Sequence, residues 1–442
     1  MPKAAFNFPA GFLWGAATAS HQYEGNNKNS AWWTWEEQAG RIHAGERSGL
    51  ACDWWGGRWK EDFDRAAETG QNALRFSVEW SRIQPTPDLW DEDAIDHYRA
   101  MLRGLHERGM TALVTLHHFS DPIWFAEMGG WENPLAPELF EKYVRKIVEA
   151  LQEYCSLWVT INEPNVFAFE GWMLGLYPPG KKTEGLVYQV YVNLIRGHAR
   201  AYHAIHEIQR TARVGIAQHY RAERPAGPLK FLDNIPARVI AQGFNESFND
   251  TLVNGRLRMI FFRAYLPEVI GTQDFVGVNY YTVEMVRFNL LKFNDLFSDR
   301  FYDPKAAMSD TGMIAHVPDG MHEALKWGKR YNLPMIVTEN GIEDPSDQLR
   351  PRYLVEHIHQ IWRAVNFNWP VKGYFHWSLV DNFEWERGWS QRFGLWGLDV
   401  ETQARIRRPS VDLYASICKQ NAITYEAVEK FAPDALKTLY PE

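Results

Sequence analysis

Two glutamates draw attention by where they fall in the chain. The stretch Leu157-Trp158-Val159-Thr160-Ile161-Asn162-Glu163-Pro164-Asn165 runs from apolar, β-branched residues into an amide, a carboxylate, a proline and a second amide. Proline cannot donate to a sheet ladder, so a buried strand here must stop by Glu163. Leu333-Pro334-Met335-Ile336-Val337-Thr338-Glu339-Asn340-Gly341 repeats the design, with Asn-Gly to turn the chain. One such Glu is as readily a solvated residue in a turn as a functional group. Two on separate strand ends are hard to explain by packing, and the carboxyl end of a buried strand is where α/β proteins keep their chemistry. A pair of carboxyl groups so placed suits cleavage of a glycosidic bond: one is protonated to release the leaving group, the other ionised to attack the sugar carbon.

The elements that must position this pair follow from the pattern along the chain. Short apolar runs at 12–17, 72–78, 111–116, 158–161, 213–218, 274–278, 333–339 and 371–377 read as strands. Helical periodicity separates them, at 60–68, 91–108, 137–154, 185–210, 236–253, 319–331 and 350–367, and again at 409–420 after the last strand. Eight strands, each followed by a helix, predict a (β/α)8 TIM barrel, expected to be a single catalytic domain over residues 1–442. Residues 283–318 show no clear period and read as the longest connection, the kind that on a barrel carries function. On this scheme Gln22, Arg75, His118, Asn162, Glu163, Asn279, Tyr281, Glu339 and Trp377 all lie at or just past strand ends. Singly, Arg75 reads as an ion-pair partner and His118 as a satisfied interior histidine. Their shared address on one barrel face points to a site.

Composition excludes several classes. Of 442 residues 45% are hydrophobic, and the net charge of −8 offers no basic field for nucleic acid. No stretch approaches the roughly 20 apolar residues of a membrane span. The opening Met1-Pro2-Lys3-Ala4-Ala5-Phe6-Asn7-Phe8-Pro9 lacks the apolar core of a signal peptide, so a cytoplasmic location is expected. Cys52, Cys155 and Cys418 have neither disulfide nor metal-site spacing and read as buried free thiols. The 20 tryptophans are in excess, which suits stacking on the flat CH-lined faces of sugar rings.

With these motifs in place, the sequence resembles family 1 of the glycoside hydrolases, the retaining β-glucosidase and β-galactosidase-like enzymes, from Phe8 to about Lys419. The resemblance implies that Glu163 is the general acid/base and Glu339 the nucleophile. Arg75 and Tyr281 would keep Glu339 ionised, and that charge would hold the proton on Glu163. It further implies that Gln22, His118, Asn162, Asn279, Tyr281, Trp377, Glu384 and Trp385 bind the sugar, with Glu384 and Trp385 on its outer hydroxyls. The substrates would be small β-glycosides, and neither metal nor organic cofactor is required. Two departures stand out. Family members often have Tyr-His-Trp-Asp where this chain has His117-His118-Phe119-Ser120, and a Trp on the leaving-group side where Ile314 aligns. The sequence leaves open the preferred sugar, the oligomeric state and the balance of hydrolysis against transglycosylation. Other readings are a barrel enzyme cutting internal bonds of a polysaccharide and a non-catalytic sugar-binding barrel.

Overall fold

The computed structural model describes residues 4–227, 230–259 and 262–441. Met1–Lys3, which open the stretch read for a leader, lie outside them. Eight parallel strands form the frame: β1 Leu13–Ala17, β2 Ala73–Ser77, β3 Thr111–His117, β4 Leu157–Asn162, β5 Arg213–Pro225, β6 Phe275–Phe288, β7 Met335–Asn340 and β8 Val371–Trp377. Each pairs with the next in sequence, β8 pairs with β1, and the sheet closes on itself. Closure removes both sheet edges and lets every central strand be buried on two sides, which is why the runs read as continuously apolar. All five residues of β2 and all six of β7 are buried.

Two cores result. Inside the barrel one small cluster takes a residue from every strand: Ala17, Leu113, Val159, Ala217, Phe275, Ile336 and Phe375, with Ala73 from β2. Outside it a larger layer lies between strands and helices, where Trp14, Leu74, Val114, Trp158 and Val337 meet the apolar stripes of the helices. Helix Glu92–Glu107 shows how local signals fix an element. The Asp91 side chain accepts from the Ala94 N–H (2.9 Å) at its start, and Gly109 takes a φ of +69° just past its end. Helices also occupy Trp59–Glu68, Ala136–Leu151, Glu184–Ile208, Asp319–Lys329, Arg350–Asn366 and Pro409–Gln420, within a few residues of the periodic segments.

The main departures lie at the rim. β5 and β6 run well past the barrel, pairing as far as Pro225 with Val286. β6 then turns back as a hairpin onto Ser298–Phe301. The first part of 283–318 is therefore a strand. Its burial does not alternate cleanly, and its pairing with β5 shifts register just before it, between Tyr220–Tyr280 and Ala222–Val283. The helical segment 236–253 is two helices, Lys230–Ala241 and Ser247–Asn254, joined by a wide turn at Gln242–Glu246. Gln22 sits on a short helix, Ser20–Tyr23, rather than in open loop. Cys52, Cys155 and Cys418 are buried and unpaired. No helix among the described residues is long and apolar enough to cross a membrane.

Candidate active site

At the carboxyl ends of the strands lies a cavity of about 530 Å³, with Glu163 and Glu339 both in its wall. Glu163 follows β4 directly, in a left-handed backbone conformation (φ 40°, ψ 59°), and Pro164 begins the next helix. That conformation is costly for a non-glycine residue and is typical of functional positions; Phe119 and Trp385, also in the cavity wall, share it. Glu339 lies within β7, opposite Asn279 of β6.

Arg75, fully buried in β2, ties the two halves together. Its guanidinium donates to Glu339 Oε1 (2.6 Å), to Asn162 Oδ1 (2.6 Å), to the Thr338 carbonyl (3.2 Å) and to Thr115 Oγ1 (3.0 Å). Tyr281 donates its hydroxyl to Glu339 Oε2 (2.6 Å), so each oxygen of Glu339 has a strong donor. Asn279 accepts from Thr338 Oγ1 (2.6 Å), which orients its amide to donate to Glu163 Oε1 (2.9 Å) and Asn162 Oδ1 (3.2 Å). Thus Arg75, Asn162 and Asn279 link one carboxyl group to the other.

Burial sets the electrostatics. Despite Arg75 and Tyr281, loss of water pushes the Glu339 carboxyl up to about 7. Arg75 and Tyr281 act against that burial and favour the anion. Burial, then the neighbouring Glu339 charge, also holds the Tyr281 hydroxyl far above its usual range, so it remains a donor. Burial and the Arg75 charge push His118 well below the usual histidine range. The neutral ring can accept from Asn162 Nδ2 at Nε2 (3.0 Å), which leaves Nδ1 as a buried donor without a protein partner.

The opposite wall is built from the short helix after β1 and the loop after β8. Gln22 Nε2 donates to the Phe383 carbonyl (2.9 Å) and to Glu384 Oε2 (3.2 Å), and its own Oε1 is buried without a partner. Asn382 donates to the same Glu384 oxygen (2.6 Å). Burial pushes Glu384 up to about 8. Trp377, ending β8, and Trp385 flank His118 with ring centroids 5.9 and 6.0 Å from its own. Unsatisfied Gln22 and His118 atoms beside two indole faces are what a hydroxylated ring would complete. Every residue singled out in the sequence is brought to this cavity or bonded to its wall.

The profile of Glycosyl hydrolase family 1 matches residues 4–423. The chain belongs to this family. As a family 1 chain it is 35% identical to "Beta-glucosidase A" of Thermotoga maritima, over 94% of this chain and 98% of that protein. It is 31% identical to a "Beta-galactosidase" of Sulfolobus acidocaldarius, over 95% and 96%. Among solved structures it resembles the "beta-glycosidase from Pyrococcus horikoshii" with a TM-score of 0.91 at 34% identity, over 97% of this chain and 98% of that one. The Thermotoga maritima β-glucosidase in complex with glucoimidazole gives 0.88 at 33%, over 94% and 99%.

Sequence reasoning missed several residues of this family 1 cavity. His219 Nδ1 lies 3.0 Å from Glu163 Oε1, and its ring stacks on Tyr281. Its signal was present, just past the apparent end of a strand at 218, as His118 is past the strand at 111–116. Glu170, Arg221, Glu284 and Arg300 also line the outer cavity. Ile314 does reach the wall, packing in one cluster with Phe393 and Trp377. Among the described residues no group of three or more His, Cys, Asp or Glu is arranged to hold a metal ion.

Proposed function

We propose that the chain is a retaining, exo-acting β-glycosidase, foremost a β-glucosidase that also accepts galacto and fuco sugars, acting as one catalytic unit. One observation carries the reading: two buried glutamates on the strand ends of β4 and β7, joined through Arg75, Asn162 and Asn279. Glu339 is assigned as nucleophile because donors already meet both its oxygens, which favours the anion. Glu163 is assigned as the acid/base of the pair; its Oε1 is held by Asn279 and His219.

Glu339 attacks the anomeric carbon as the bond to the leaving oxygen breaks, and Glu163 gives that oxygen its proton. The ester formed removes the charge of Glu339. Glu163, now ionised, takes a proton from water, whose oxygen attacks the same carbon and frees Glu339. Each attack inverts the centre, so the product keeps the β configuration. Gln22, Glu384 and Trp385 take the outer hydroxyls, with His118 and Asn162 on the inner ones and Trp377 beneath the ring. Such a wall receives a chain end rather than a chain interior. Cytoplasmic residence is supported by three buried unpaired thiols and by similarity to a human protein named "Cytosolic beta-glucosidase".

The test follows nitrophenyl β-glucoside hydrolysis by NMR. β-Glucose should appear first and mutarotate later, whereas α-glucose first would overturn the reading. A panel of nitrophenyl glycosides ranks the sugars.

A further inference from the structure

His219 stands in a row across three barrel strands. It pairs with Asn279 between β5 and β6, and Asn279 pairs in turn with Glu339 between β6 and β7. The backbone around it is tied to the end of β4: the Glu163 N–H donates to the Ala217 carbonyl (2.7 Å), and Asn165 Nδ2 to the His219 carbonyl (3.0 Å). The imidazole stacks on Tyr281 (ring centroids 5.8 Å apart, planes at 21°) and meets Phe244 edge-on, which sets the plane of the ring. Held in this way, Nδ1 lies 3.0 Å from Glu163 Oε1.

The direction of each hydrogen bond follows from Arg75, which can only donate. Its bond to Asn162 (2.6 Å) makes the facing atom Oδ1, so the Asn279 atom 3.2 Å from that oxygen is Nδ2. The same Nδ2 donates to Glu163 Oε1 (2.9 Å). One lone pair of Oε1 is thereby taken, and His219 faces the other. A lone pair at Nδ1 would confront an anion each time Glu163 ionises, whereas an N–H bonds to the carboxyl group in both its states. Nδ1 therefore carries a hydrogen, and two N–H groups occupy Oε1. Oε2 has no hydrogen bond among the described residues, and the Glu163 side chain lines the cavity.

We infer that His219 is a positioning residue of the acid/base: with Asn279 it fills Glu163 Oε1 with N–H donors, so that Oε2 alone hands a proton to the leaving oxygen and later takes one from water. The inference rests on the role of Glu163 proposed above. In the first step the Oε2–H bond breaks as the leaving oxygen gains the proton, and the charge left on Glu163 is met by the His219 N–H. In the second, Oε2 takes a proton from water. His219 keeps its own hydrogen throughout. Its bond is strongest when Glu163 is ionised, so it assists loss of the proton in the first step.

The test separates the N–H from the ring. His219→Phe keeps the stacking on Tyr281 and removes the donor; His219→Asn removes the ring and can place an amide N–H where Nδ1 was. kcat/KM is measured against pH for phenyl and dinitrophenyl β-glucoside. His219→Phe should lose about tenfold on the phenyl substrate, the low end for a hydrogen bond to a charged group. It should lose less than about twofold on the dinitrophenyl substrate, whose first step needs little acid. Its alkaline limb should move up by about one pH unit, because the lost N–H favoured the anion. His219→Asn should stay within about threefold of wild type on both substrates, with its limb in place. The ionisable groups around the pair, Arg75, His118, Glu170, Tyr177, Arg221, Tyr281 and Glu339, are the same in both variants, so the difference between them belongs to the Nδ1 bond. A loss in His219→Asn as great as in His219→Phe, or greater, would assign His219 to packing and overturn the inference. So would equal losses on the two substrates, or an unmoved limb, in His219→Phe. Inactivity of the wild type on both glucosides would instead remove the parent reading, and this one with it.

Discussion

Replacing Glu339 by Ala should abolish turnover, because water on that face does not replace a covalent nucleophile. Azide or formate should restore part of the rate and yield the inverted product, seen by NMR; near-normal activity without them would exclude Glu339 as nucleophile. Glu163→Ala should split substrates by leaving group. Those with poor leaving groups should lose about 10²–10⁴ in rate, the usual share of a general acid, while the first step on dinitrophenyl glucoside survives. Equal losses would reject the assignment. On the proposed reading, Glu384 selects among sugars. It is half-buried against Gln22 and Asn382, and the cations nearest in sequence are paired: Arg387 with Glu386 (2.9 Å), and Arg392 with the Leu398 carbonyl (3.3 Å) beside Asp381. A 6-phosphate would meet a carboxyl group and no free guanidinium there. Nitrophenyl β-glucoside should thus be cleaved and its 6-phosphate refused, with Glu384→Ser losing one to two decades on the plain sugar, at about 1.5–3 kcal/mol per charged hydrogen bond. A wild-type preference for the phosphate would sink this assignment.

At the scale of elements, the meeting of β7 and β8 is the tightest joint in the site. A Cβ added at Gly341 would stand 1.8 Å from the Trp377 carbonyl oxygen, so the close approach of these strand ends requires glycine. Gly341→Ala should push Trp377 and Glu339 apart and lower kcat/KM by about 10²-fold, the usual cost of a misplacement near 1 Å. Full activity in the soluble variant would show that the loop relaxes. Strand ends of this kind were legible in the sequence because β-branched runs stop at Asn162-Glu163-Pro164 and Glu339-Asn340-Gly341, so Glu163, Glu339, Asn279 and Trp377 could be placed by position alone. Glu384 and Trp385 could not, and no local pattern joins Gln22, placed by position after β1, to the loop after β8; only family resemblance supplied those two residues. His219 and the hairpin were missed for one reason. β5 and β6 outrun the barrel, and the charged residues Arg221, Glu223, Glu284 and Arg287 interrupt the continuous apolar run by which the barrel strands were read.

For the whole molecule, buried ionisable groups make stability depend on pH with a sign that can be worked out. Burial raises Glu24, Glu170, Glu223 and Glu339 to about 7 and Glu384 to about 8, against about 4.3 in an unfolded chain. Between those values the native state binds more protons, so these groups lower stability as pH rises. Burial lowers His21 and His376 to about 3 and His198 to about 4, against about 6.5 unfolded, so these make stability rise with pH up to about 6.5. The two sets oppose each other below pH 6.5, and only the carboxyls act above it. Calorimetric Tm should therefore fall between pH 6.5 and 8, with a shallower fall in Glu384→Gln; a Tm that rises over that interval would contradict the assignment. The pairing of β8 with β1, and the bond from Gln22 to Glu384, have a further consequence for a chain made from one end to the other. On the ribosome, Glu163 and Arg75 emerge early, but Glu339 and the Trp377 and Glu384 wall follow only in the last quarter of the chain. A nascent chain of this protein carries Glu163 and Arg75 for most of its synthesis without the rest of the site.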